Sequence, residues 1–217
     1  VLHIRTVRPY ITYGLIAVNV IIFMFGFFDP SREIQMFLSG ANNRDLVLLD
    51  GELYRLFSSM FLHASLPHVV FNMFSLYIIG SNLEAIYGHV RFTIIYLLGG
   101  LTGALLSTLL SDVYSVGASG AVFAVFGGQI VFLYRHRKLL GRAGQAQMRQ
   151  MILIAAMNFA VGLASSLSPQ RVSIDNWAHI GGFVGGLILA SYIGSHYLLE
   201  RYHTGAANEF MAVDINP

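Results

Sequence analysis

Cysteine is absent from the 217 residues. That excludes disulfides and any thiolate chemistry. Charge is scarce as well. Asp, Glu, Lys and Arg make up 11% of the chain, against about 25% in an average soluble domain. A globule this poor in charge has too little polar surface to face water on all sides. No apolar segment alternates with period two, which excludes a transmembrane β-barrel. There is no HExxH and no carboxylate at ligand spacing, so His63, His68 and His179 are not read as a metal site. No internal repeat is present, and Glu84 is the one carboxylate inside an apolar segment, which argues against a transporter. The most basic loop, "RHRKLLGRAGQAQMR", lacks interleaved aromatics, and the net charge is only +2. Nucleic acid is therefore not an expected partner.

What the chain does have is apolar length. It is 55% hydrophobic, with a mean hydropathy of +0.63. Apolar segments fall at Tyr10–Phe28, His68–Tyr87, Phe92–Leu110, Ala118–Tyr134, Met151–Leu167 and Trp177–Leu199. Most approach the ~20 residues that a helix needs to cross a bilayer. The expectation is an all-α membrane protein, a bundle of six transmembrane helices in a single domain over 1–217. Its core would run over about 10–200, with a polar tail, 201–217, of unassigned role. Tyr10–Phe28 exceeds the roughly 7–15 residues of a signal-peptide core and no A-x-A site follows, so it reads as a retained span. Connections are short except Asp29–Pro67. This long first outer loop contains "IQMFL" and "LYRLFSSMFLH", and is expected to fold and lie partly in the membrane interface. Basic residues concentrate on the amino-terminal side of the spans, which places both termini in the cytoplasm.

With that topology the second, fourth and sixth helices start on the same side. Their first turns carry His68 and Asn72, Ser119, and His179. Polar residues inside a membrane are costly and usually functional. The fourth segment is also short. Its 17 residues, Ala118 to Tyr134, reach roughly 25 Å at 1.5 Å each, less than the ~30 Å hydrocarbon core. Ser119 would then sit below the outer surface, with "SDVYSVG" dipping into a protein-lined aqueous cavity to meet it.

Each polar residue has two readings. "GASG" around Ser119 is either a small-residue packing surface or the seat of a nucleophile. For the second, Gly117 and Gly120 permit a tight turn and close substrate approach, and a helix amino terminus offers unpaired N–H groups to an oxyanion. His179 is either a structural hydrogen-bonder or a general base, since its pKa lies near neutrality. Gly182 and Gly186 follow it at i+3 and i+7 and share its face. Packed on Ser119, Phe123 and Gly127 of the fourth helix, that face brings His179 to the serine. His68 and Asn72 stand at i, i+4, either as an interhelical clamp or as oxyanion donors. His63 reads as a loop hydrogen-bonder tied to the second helix. Asp175 is not read as a third member, so the arrangement is a dyad.

Taken together, "GASG", "AHIGGFVGG", "HASLPHVVFN", "ELYRLFSSMFLH" and "SNLEAIYG" resemble the rhomboid family of intramembrane serine proteases. The match runs in order from about Glu52 to about Gly186. The resemblance implies that Ser119 is the nucleophile and His179 the base. It implies an oxyanion hole of His68, Asn72 and the Ser119 backbone N–H, a loop element that includes Arg55, and a structural role for Glu84. Phe123 stands where the family often has a tyrosine stacked on the histidine, and Tyr54 where it usually has tryptophan. The implied substrates are single-span membrane proteins cut in or near the bilayer. No metal or organic cofactor is implied, and a bacterial inner membrane is the implied location. The fifth segment would be a side gate. The alternative is a relative that binds membrane clients without cutting them. Oligomeric state is not legible.

Overall fold

The structure, a computed structural model, describes residues 2–4, 7–166, 174–194 and 199–201. Helices dominate. The chain opens with α1 (Tyr10–Phe27) and then folds its long loop into α2 (Pro30–Gly40), α3 (Arg44–Leu48) and α4 (Arg55–Ser58). Next, α5 (Leu66–Ser75) passes through a π-helical turn, Leu76–Gly80, into α6 (Ser81–Tyr87). Leu66–Tyr87 is thus one rod of 22 residues. The remaining helices are α7 (His89–Leu110), α8 (Ser119–Arg135), α9 (Arg137–Ser166) and α10 (Asn176–Ile193). Among the described residues, Tyr10–Phe27, Leu66–Tyr87 and His89–Leu110 are long and apolar enough to cross a membrane, and Ser119–Arg135 is a shorter apolar helix.

Local chemistry sets the boundaries. Asp29 caps α2 by accepting from the Ser31 and Arg32 amides, with Pro30 at the first helical position, where its missing N–H costs nothing. Asn43 caps α3 in the same way. The Ser65 hydroxyl accepts the His68 amide at the start of α5. Gly88, at φ 76, separates α6 from α7, and Gly194, at φ 65, ends α10. Both adopt the left-handed backbone that favours glycine.

Two expectations need correction. The basic stretch "RHRKLLGRAGQAQMR" is not a loop. It enters α9 at Arg137, with one break at Gly141, φ 55. Its Arg, Lys, Leu, Gln and Ala are good helix formers, and charge does not oppose a helix that emerges from a membrane. The last helix stops at Ile193, not at Leu199. Leu199 belongs instead to a short strand, Leu199–Arg201, paired antiparallel with Leu2–Ile4. The long loop folds, as expected, here as a series of short helices. Leu167 and residues 202–217 lie outside the described residues.

The centre of the bundle is α8, whose positions Gly120 to Leu133 are all buried except Ile130. Against it lies α10, seated between α7 and α8 by two glycine pairs. A Cβ on Gly182 would fall 2.0 Å from the Gly120 carbonyl oxygen, and one on Gly186 2.0 Å from that of Ala124. On the adjoining face, a Cβ on Gly181 would meet the Thr102 carbonyl of α7 at 2.6 Å. Only hydrogen side chains allow these backbones to touch. In lipid, where apolar contact alone gives no preference for protein over solvent, such close packing is what holds helices together. Outside, large apolar side chains such as Ile21, Phe25, Phe71 and Tyr192 are exposed, a surface suited to hydrocarbon and not to water.

One end of the bundle is closed by Glu84, which is fully buried. Its Oε2 accepts the Thr12 amide at 2.7 Å and the Thr12 hydroxyl at 2.6 Å, and its Oε1 the Ile11 amide at 2.9 Å. His89 Nδ1 lies 2.6 Å from the same Oε1. The first turn of α1 has no capping side chain of its own, so the carboxylate of α6 caps it from another helix.

Candidate active site

The first turn of α8 begins at Ser119, and no side chain caps it. Its leading N–H groups are therefore open at the positive end of a 17-residue helix, a setting that favours a negative charge. The approach to Ser119 is fixed by the long loop. The Gly117 amide donates to the Ser59 carbonyl at 2.9 Å, and Ser115 exchanges two backbone hydrogen bonds with Asn42, at 2.8 and 2.9 Å. Asn42 is itself buried. Its Nδ2 donates to the Ala104 carbonyl of α7 at 2.9 Å, and its Oδ1 accepts the Thr108 hydroxyl at 2.8 Å. Sequence reasoning missed Asn42 and Ser59, because a single polar contact over some sixty residues leaves no local pattern.

Gly117 brings in α5. It adopts φ +129, and a Cβ there would lie 2.7 Å from His68 Nε2 and 3.8 Å from Asn72 Nδ2. Glycine is required twice here, for the backbone and for the space. His68, Asn72 and the segment entering Ser119 thus share one spot. Asn72 is buried, and its Nδ2 donates to the His68 carbonyl at 3.0 Å. An amide NH2 carries two hydrogens, so one remains for another acceptor.

The glycine contacts of α10 bring up His179. Its ring stacks on Phe123 of α8, with centroids 4.3 Å apart and planes 16° from parallel. Phe159 of α9 meets the same ring edge-on at 6.2 Å. His179 is 5% exposed, and its Nδ1 is buried without a partner. Asp175 does not reach it. That carboxylate caps α10 by accepting the Ala178 amide and also accepts the Ser107 hydroxyl of α7. No hydrogen bond joins Ser119 to His179 among the described contacts. Catalytic hydrogen bonds in unliganded enzymes are often long and tighten only with substrate.

Two supporting residues lie further out. Arg55 is buried, and its guanidinium donates to the Leu38 and Ala41 carbonyls, each at 2.9 Å, and to the Glu52 carboxylate. It stitches α4 to the end of α2. The Arg55 hydrogen bond holds the Glu52 carboxyl below its usual value. The Tyr54 hydroxyl donates toward the Ser39 carbonyl at 3.1 Å. His63 departs from expectation. It is buried, but neither ring nitrogen has a hydrogen-bond partner. It meets the His68 ring edge-on at 5.1 Å, and the Phe61 backbone acts on it as well. Burial, with His68 beside it, pushes its pKa down to about 3. Among the described residues, no three His, Asp or Glu side chains are grouped to hold a metal ion.

Residues 50–196 match the family model of the Rhomboid domain. Over 188 residues the chain is 31% identical to the Rhomboid protease GluP of Bacillus subtilis (strain 168), covering 86% of this chain and 35% of that protein. It is 38% identical over 151 residues to RHOMBOID-like protein 1 of Arabidopsis thaliana, covering 69% and 37%. It is 30% identical over 211 residues to the Rhomboid protease AarA of Providencia stuartii, covering 84% and 72%. The chain thus spans little more than a third of the length of the first two.

Proposed function

This chain belongs to the rhomboid family, and we propose that it is an intramembrane serine endopeptidase acting through a dyad of Ser119 and His179. The observation that carries this reading is the meeting of three helices at the first turn of α8. An uncapped helix start carries a serine, α5 brings His68 and Asn72 against Gly117, and α10 is pressed on α8 by Gly182. A packing serine needs only the last of these.

In the proposed reaction Ser119 Oγ attacks the substrate carbonyl and its proton passes to His179 Nε2. The tetrahedral oxyanion is received by the Ser119 amide, the free Asn72 N–H and His68. His179 then returns the proton to the leaving amine, and water releases the acyl group by the reverse sequence. Phe123 holds the imidazole plane in place of a carboxylate on Nδ1. Donors of this kind are typically worth about 3–4 kcal/mol each in the transition state.

The chain is an integral membrane protein. Six spans, cytoplasmic termini and a location in a bacterial inner membrane complete the proposal. Substrates are single-span proteins with helix-breaking or small residues at the cut, because an intact helix shields its peptide bonds. Entry is past α9, whose Phe159 borders the site. The test is a cleavage assay with a single-span substrate in vesicles, paired with fluorophosphonate labelling, for the wild type, Ser119→Ala and His179→Asn. Cleavage and labelling by the wild type alone support the dyad. If the wild type neither cuts nor labels, client binding becomes the better reading.

A further inference from the structure

Both oxygens of the Asp175 carboxylate are engaged. One accepts the Ala178 amide at 3.0 Å and so caps α10. The other accepts the Ser107 hydroxyl from the last turn of α7. Ser107 is 1% exposed, so this bond is made out of water. The next residue, Thr108, is equally buried and bonds Asn42 at 2.8 Å. Asn42 in turn pairs with Ser115, four residues before Ser119. Two adjacent residues of α7 therefore hold both arms of the site. Thr108 holds the chain that leads to the serine, and Ser107 holds the helix start that carries the histidine. We propose that Asp175, anchored by Ser107, is a positioning residue for His179, which fixes the first turn of α10 and so sets where the imidazole stands relative to Ser119.

In a catalytic triad a third side chain orients the imidazole. Here His179 Nδ1 is buried without a partner, so no carboxylate does that. The place of the ring is left to the Phe123 stack and to the backbone that carries it. That backbone lies in the first turn of α10, where leading N–H groups have no partner within the helix and helices fray. The His179 amide reaches the Asp175 carbonyl at 3.3 Å, beyond the roughly 2.7–3.2 Å of a good bond. A side-chain cap on this turn therefore bears directly on the geometry of the base. The cap is also not free to drift, because Ser107 ties it to the same turn of α7 that holds Asn42. Asp175 acts through the backbone, without touching the ring or a reacting atom. The role rests on the protease reading.

The experiment uses the full chain in lipid vesicles with a single-span substrate. It reads kcat and KM per folded molecule, and amide hydrogen exchange over Asn176–Gly182. Asp175→Ala should lower kcat about 30-fold, since a base displaced by about 1 Å costs that order of rate. KM should change less than about twofold, because this turn does not bind substrate. Exchange at Ala178 should quicken with the cap gone. Ser107→Ala keeps the cap and frees it from α7, and should lower kcat about fivefold, the effect of one hydrogen bond. Asp175→Asn should restore the exchange and most of the rate, since Asn caps about as well as Asp and its NH2 can donate to Ser107 Oγ. A wild-type kcat in Asp175→Ala would overturn the proposal. So would an Asp175→Asn protein that exchanges normally and cuts as slowly as Asp175→Ala, because charge and not position would then be at work. If Asp175→Ala does not fold, a wild-type kcat in Ser107→Ala overturns it instead. A wild type that cuts no substrate removes the protease reading and this role with it. A wild type that cuts, with all three variants equal to it, removes this role alone.

Discussion

Two buried polar clusters sit near opposite ends of the same rod. His68 and Glu84 are sixteen residues apart on the Leu66–Tyr87 helix, or roughly 24 Å at 1.5 Å per residue. At Glu84 the carboxylate has three donors from α1, and His89 lies beside it. At the other end Ser119 and His179 share no hydrogen bond, and His179 Nδ1 and both His63 nitrogens have no partner. Burial is the same in kind at the two ends, and the pairing of the ionisable groups is not, although Ser81 Oγ, three residues before Glu84, is also buried without a partner. A cluster in which every polar atom is paired holds helices in place. One with atoms left unpaired is unfavourable on its own, and it suits groups that must meet a reacting molecule. On the proposed reading the Glu84 end serves stability and the Ser119 end serves chemistry.

The sharpest way to break the contrast is to remove one key side chain from each end. Ser119→Ala should lower cleavage by about 10⁴-fold or more, while unfolding stability shifts by no more than about 1 kcal/mol. Cleavage in vesicles and unfolding in mixed micelles measure the two quantities. Glu84→Ala should do the reverse. It leaves three donors of α1 without their acceptor, so about 3–5 kcal/mol of stability should be lost, with cleavage per folded molecule retained. If Glu84→Ala removed cleavage from a fully folded protein, the division between the two ends would be wrong.

A third substitution tests the link between the ends. Gly186→Ala would set a methyl 2.0 Å from the Ala124 carbonyl oxygen. It should cost about 1–3 kcal/mol through overpacking. It should also lower cleavage, because moving α10 off α8 parts His179 from Phe123. Gly14→Ala is the control, since its Cβ would meet nothing within 4 Å. Thermal midpoints and cleavage rates of the pair separate a packing defect from a general glycine effect.

Much of this was legible in sequence because it repeats with the helix. Tyr10–Phe28 was read against an observed Tyr10–Phe27, and the spacing of Gly182 and Gly186 gave the face on which α10 meets α8. The second glycine face, Gly181 and Gly185 against Thr102, went unread because each helix was matched to one partner only. Asn42 could not be found, since its partners Ala104, Thr108 and Ser115 are distant in the chain and share no motif with it. The basic stretch was misread for a different reason. Its charge marks it as outside the apolar spans, and charge alone does not distinguish a loop from a helix. His63 was expected to find a hydrogen bond, but both its ring nitrogens are buried without one, and its single neighbouring motif, the start of α5, is capped by Ser65 instead.

The smallest expected effect concerns that histidine and is read by pH. His63 has its pKa lowered from 6.5 to about 3 in the folded protein. The unfolded chain therefore binds a proton first as pH falls. Stability from keeping this ring neutral is complete above about 6.5 and declines toward about 3. The loss should be about 1–2 kcal/mol by pH 5, from the width of that window. His68, against the ring, and Glu33, which lines a cleft with it, are the ionisable neighbours to consider. Glu52 also weakens the fold in acid, since its lowered pKa means the Arg55 bond is lost as that carboxylate takes up a proton. It does so only below the ordinary glutamate value of 4.5. Unfolding measured from pH 7 to 5 thus excludes Glu52, and the His63 share is the difference between the wild type and His63→Gln, since the other histidines contribute alike to both. His63→Gln should make that slope shallower, and an unchanged slope would assign it to the other histidines and remove His63 from the unpaired end of the molecule.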